Sequence, residues 1–99
     1  MFEIIWSVRA RNVLKKTIEF WIEHNQSKEY SQKIAEEIVK KEDLLKANPY
    51  LGEETSFSGI RRILILKNFS IFYQINELNK KIKIVAFRDN HRKPKSYKS

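Results

Sequence analysis

The run Ile60-Arg61-Arg62-Ile63-Leu64-Ile65-Leu66, then Lys67-Asn68, then Phe69-Ser70-Ile71-Phe72-Tyr73-Gln74-Ile75 decides the fold. Two β-rich runs separated by two polar residues read as a tight hairpin. A third such run, Ile82 to Phe87, follows the polar turn Asn76 to Lys80. Three consecutive strands predict an antiparallel meander. Upstream, Leu51 to Gly59 holds both glycines of the chain, Gly52 and Gly59, and reads as a loop. Before it the period changes from two to between three and four. Tyr30, Ile34, Ile38 and Leu45 share one helical face, and Glu36, Glu37, Lys40, Lys41, Glu42 and Asp43 cover the other. Asn48-Pro49 stops that helix, because proline disfavours a helical residue before it. An earlier helix carries Val13, Leu14, Ile18, Trp21 and Ile22 on one face, with Ser7 as its N-cap. The polar break His24 to Ser27 predicts an antiparallel pair of helices. Phe2 to Trp6 is short, bulky and β-prone, so it reads as a first strand.

The order is β-α-α-β-β-β. We expect an α+β fold, with a helical hairpin packed on one face of a mainly antiparallel four-stranded sheet. Parity orients the strands. In the last one Ile82, Ile84 and Ala86 share a face, and Lys81, Lys83, Val85 and Phe87 share the other. The lysines mark the second face as solvated. Phe69, Ile71, Tyr73 and Ile75 make the better inward set of the middle strand. A two-residue turn then places Leu64 and Leu66 inward, and Arg61, Ile63 and Ile65 outward. The expected open face is basic and apolar: Arg61, Ser70, Gln74, Lys81 and Lys83 interleave with Ile63, Ile65, Phe72, Val85 and Phe87. A slip of one residue in the hairpin exchanges Arg61 for Arg62.

The chain has 99 residues, which suits one domain, 1–99, ending in a basic tail, 89–99. With 41% hydrophobic residues it has too much apolar content for a disordered segment. Twenty Lys and Arg against twelve Asp and Glu leave a net charge of +8, which favours polyanionic partners. There is no cysteine, so disulfides, thiolate nucleophiles and cysteine-held zinc are excluded. Two histidines, His24 and His91, are too few for a histidine cluster, and we expect no metal and no cofactor. The longest unbroken apolar run, Ile63 to Leu66, is far short of the roughly 20 residues that span a bilayer. The first residues lack a basic stretch followed by a long apolar run. We therefore expect a cytoplasmic protein with no membrane partner.

This order of elements resembles the RelE/ParE superfamily of bacterial type II toxins. The resemblance rests on Phe2-Glu3-Ile4-Ile5-Trp6-Ser7, the helical hairpin, Ala47-Asn48-Pro49-Tyr50-Leu51-Gly52, Gly59-Ile60-Arg61-Arg62-Ile63-Leu64, Phe69 to Ile75, and a last strand running into Phe87-Arg88-Asp89-Asn90-His91-Arg92-Lys93-Pro94. It covers nearly the whole chain. RelE-like members enter the ribosomal A site and cleave mRNA, and ParE-like members inhibit DNA gyrase without being nucleases. Both are held inactive by a cognate antitoxin. The resemblance therefore implies a toxin, read first as a ribosome-dependent, metal-independent mRNA endoribonuclease. The alternatives are a gyrase inhibitor and a degenerate toxin that only binds its antitoxin.

RNA cleavage by the 2′-OH needs a base, an acid and cations for the developing phosphorane charge. Arginine suits the phosphate and histidine suits proton transfer near neutrality. The catalytic candidates are Arg61, Arg88, His91 and Arg92. The nucleic-acid-binding candidates are Arg62, Lys67, Lys81, Lys83, Lys93 and Tyr97, the tyrosine as a platform on which a base could stack. One departure stands out. RelE-like nucleases, and many ParE-like members, usually carry an arginine in the third strand, in a Tyr-Arg-Ile-x-Tyr-like run; here Ser70 holds that position. The resemblance thus leaves nuclease and gyrase inhibitor both open.

Overall fold

The computed structural model describes residues 1–25 and 28–90, with the backbone alone at Asn25. The elements are β1 (Glu3–Trp6), α1 (Val8–Asn25), α2 (Glu29–Ala47), a 3₁₀ turn (Pro49–Leu51), β2 (Glu53–Glu54), β3 (Ile60–Ile65), β4 (Phe69–Asn76) and β5 (Lys81–Asp89). The sheet order is β1-β5-β4-β3-β2. β1 runs parallel to β5 and every other pair is antiparallel. The two helices pack on one face, as expected from the sequence. The sheet has five strands rather than four, because Glu53 and Glu54 pair with Arg62 and Arg61. Glutamate has low strand propensity, so this edge strand carried no propensity signal.

Local chemistry explains the helix boundaries. Ser7 caps α1 by accepting from the Ala10 N–H at 3.0 Å. Ala10 and Thr17 are buried, and Leu14, Ile18 and Trp21 lie beside them. Val13 is exposed, so the apolar stripe is centred one step away from the expected set. α2 buries Ile34, Ile38 and Leu45 and ends where Pro49 follows Asn48. These residues meet Ile65, Phe69, Ile71, Tyr73, Ile82, Ile84 and Phe87 from the sheet in one core. Phe69 and Phe87 stack with ring centroids 5.7 Å apart, and Trp21, Tyr30 and Phe69 continue the aromatic contact into the hairpin.

Two register findings correct the expected faces. The β3–β4 connection is three residues long, not two. Ile65 is opposite Phe69, Ile63 opposite Ile71 and Arg61 opposite Tyr73. Leu66 and Lys67 both adopt positive φ, 53° and 67°, and Asn68 N–H donates to Ile65 C=O at 3.2 Å. Such turns normally carry Gly or Asn at the left-handed positions, and neither stands at 66 or 67. Ile63, Ile65 and Arg61 therefore share the helix-side face, and Leu64 and Arg62 the open one. The second correction lies in β5. A bulge between Phe72 and Tyr73 in the pairing leaves Val85 as the extra residue. Beyond it parity inverts: Phe87 is buried opposite Ile71, and Ala86 lies opposite Phe72 on the open face.

Candidate functional site

The open face, built from these registers, carries Arg62 and Leu64 from β3, and Ser70, Phe72 and Gln74 from β4. Lys81, Lys83, Ala86 and Arg88 come from β5, and Glu3 and Ile5 from β1. Arg88 is in register with Ser70. Ser70 is buried, and its hydroxyl lies 3.0 Å from the Asn90 amide nitrogen that donates to it. Lys81 is paired with Glu3, whose carboxyl that hydrogen bond holds below its ordinary pKa. Lys83 is exposed and makes no ion pair among the described residues.

The two tandem arginines part company. Arg62 points to the open side, and its Nε donates to the Glu53 carboxylate at 2.9 Å. Arg61 shares the helix-side face with Tyr73. Its guanidinium donates to Gly52 C=O at 2.6 Å, Tyr50 C=O at 3.4 Å and Glu54 at 3.3 Å, and sits 5.0 Å from the Tyr50 ring centroid. The expected open-face position of Arg61 is thus overturned by the longer turn, which moves every β3 side chain to the opposite side. Sequence reasoning missed Glu53 and Glu54. A signal was present: a tandem acid pair opposite a tandem arginine pair matches the cross-strand pairing seen.

The Arg61 cluster rests on a rigid support. The Tyr73 hydroxyl donates to Pro49 C=O at 2.7 Å and accepts from Gly52 N–H at 2.8 Å. Burial pushes the pKa of this phenol up. Tyr50 donates to the Glu77 carboxylate, which raises its own pKa. Beside Arg61, Tyr50, Glu54, Phe57, Ile60 and Ile75 line a shallow groove, with Phe57 exposed at its rim.

Lys67 is exposed at the tip of the β3–β4 turn. His91, Arg92, Lys93 and Tyr97 lie outside the described residues, as does the tail beyond Asn90. Of the catalytic candidates, the described pair Arg61 and Arg88 therefore sits on opposite faces of the sheet. Among the described residues no cluster of three His, Asp or Glu side chains could hold a metal ion. No described helix is long and apolar enough to cross a membrane.

Residues 4–94 match the model of a family described as the ParE toxin of the type II toxin-antitoxin system parDE. The chain belongs to this family. It is a toxin of the RelE/ParE superfamily, whose members have a cognate antitoxin. The fold is similar to the chromosomal ParDE system from P. aeruginosa, with a TM-score of 0.73 and 21% identity, over 90% of this chain and 96% of that one. It is similar to the isolated E. coli RelE toxin at a TM-score of 0.66 and 12% identity, over 99% and 94% of the two chains. A YoeB/ParE toxin from Agrobacterium tumefaciens gives 0.64 and 14%, over 89% and 98%. At these identities the likeness is one of fold. No curated protein matches the chain in sequence.

Proposed function

We propose that this ParE-family toxin acts by binding, and that its target is DNA gyrase rather than mRNA on the ribosome. One observation carries the reading: the Arg61 guanidinium is turned away from the open face and engaged by Gly52, Tyr50 and Glu54. A phosphorane needs a cation that is presented to it. Arg61 instead helps fix the segment from Pro49 to Glu54. Ser70 and the engagement of Arg62 by Glu53 support the same reading. An mRNA endoribonuclease is the second reading, favoured by Arg88 beside Ser70 on the open face. It would draw on Arg88 with His91 and Arg92, and bind RNA through Lys81, Lys83, Lys93 and Tyr97.

The test is a pair of assays on the purified chain. In a gyrase supercoiling assay, micromolar protein is expected to inhibit. In a translating extract, mapping of mRNA 5′-ends is expected to show no new ends. New ends at doses that leave supercoiling untouched would overturn the proposal and install the nuclease.

A further inference from the structure

The N-terminal half of α1 is strongly cationic. No Asp or Glu occurs between Glu3 and Glu19, and Arg9, Arg11, Lys15 and Lys16 fall within that stretch. All four are exposed, as is Asn12 between them. None forms an ion pair among the described residues. Three acids of the neighbouring helix are engaged elsewhere. In α2, Glu37 pairs with Lys40 and Lys41, Asp43 pairs with Lys46, and Glu42 accepts from the Trp6 indole at 2.7 Å.

Two of these charges, Arg9 and Arg11, stand in the first turn and work against the helix. The N-terminal end of a helix carries the positive end of its dipole and favours acids. The first turn of α1 has none. At 100° per residue, Arg9 and Lys16 flank one side of the exposed crest, and Arg11 and Lys15 the other. The buried Ala10 and Thr17 lie opposite, toward the sheet. The crest itself carries Asn12 and Glu19, with Val8 at its start, so it has no continuous apolar stripe for a peptide helix. Arg9 to Lys16 spans about 10 Å of helix axis. The same length of duplex DNA carries about six phosphates.

We propose that the N-terminal half of α1 is a contact for the phosphate backbone of duplex DNA, made by Arg9, Arg11, Lys15 and Lys16. The contact is one of charge with phosphate, which positions a protein on the duplex without reading its sequence. It stands whether or not gyrase is the target.

The experiment is fluorescence anisotropy with the full chain and a labelled 20-base-pair duplex across a salt series. The variant with Arg9→Gln, Arg11→Gln, Lys15→Gln and Lys16→Gln is expected to bind at least tenfold more weakly at low salt. Its slope of log K against log salt is expected to be shallower by about 3–4, at about 0.9 per lost phosphate contact. Its helical signal and Tm are expected to be no lower, because Arg9 and Arg11 opposed the dipole and Lys15 and Lys16, exposed beyond the first turn, make no ion pair among the described residues that is lost. The pair Lys15→Gln and Lys16→Gln is compared with Lys33→Gln and Lys40→Gln on α2, which removes the same charge. Equal weakening by both pairs would overturn the proposal in favour of bulk charge. So would an unchanged slope in the fourfold variant. Binding of polyglutamate with the same dependence on the four residues, in place of the duplex, would assign the surface to an acidic protein instead. Preferential displacement by single-stranded RNA, nucleotide for nucleotide, would also overturn it.

Discussion

Tyr73 lies beneath the segment that joins α2 to β2, and its hydroxyl bonds the Pro49 C=O and the Gly52 N–H there. Replacing it by phenylalanine keeps the ring and strands the Pro49 carbonyl and the Gly52 N–H. Tyr73→Phe is expected to cost about 1–3 kcal/mol in urea unfolding. The raised pKa adds a pH signature. Above about pH 10 the unfolded tyrosine ionises before the folded one, so stability falls as pH rises through that range. Tyr73→Phe is expected to flatten that alkaline limb. Gly52 is fixed by the same contact: a Cβ there would lie 2.6 Å from the Tyr73 hydroxyl and 2.7 Å from the Arg62 carbonyl. Lys67 shows the opposite situation. Its φ of 67° is a left-handed conformation that a lysine adopts at a cost, and its side chain is exposed. Lys67→Gly is expected to raise stability by about 0.5–1 kcal/mol, read as a higher urea midpoint with an unchanged m-value.

At the scale of elements, the strands and helices were legible because their periods are clear. Ser7 as a cap, Asn48-Pro49 as a stop and the inward set Phe69, Ile71 and Tyr73 all follow from local chemistry. The registers were not legible. Turn length at Leu66 to Asn68 depends on two residues entering a conformation their side chains disfavour, and tertiary packing of Ile63 and Ile65 decides it. The bulge at Val85 likewise leaves no mark in the sequence. It serves packing, because without the inversion Phe87 would point to solvent and could not stack on Phe69. The observed register makes a direct prediction. Ile63→Ala is expected to destabilise by about 1–3 kcal/mol, and Leu64→Ala, on the open face, by less than about 1 kcal/mol. Urea unfolding of the two variants checks this; the reverse order would restore the shorter turn.

At the scale of the whole molecule, the sheet separates two chemistries. Its helix side holds the core and the Arg61 cluster, and its open side holds Lys81, Lys83 and Arg88. The basic character of the open face was legible in composition, and its membership was not: the longer turn exchanged the places of Arg61 and Arg62, and the β5 bulge turned Phe87 inward and Arg88 outward. The order of elements was enough to reach the family, because order survives a register slip that moves side chains across a sheet.

β2 has one more consequence. An outermost strand exposes unpaired N–H and C=O groups on which another chain can build. This one is two residues long, and both are glutamates tied back to arginines of the next strand. Any incoming strand meets a short template lined by two carboxylates, so the sheet resists growing at this edge. The substitutions Glu53→Val and Glu54→Val together remove the charge and raise strand propensity. They are expected to give concentration-dependent assemblies in light scattering, where the unaltered chain gives none.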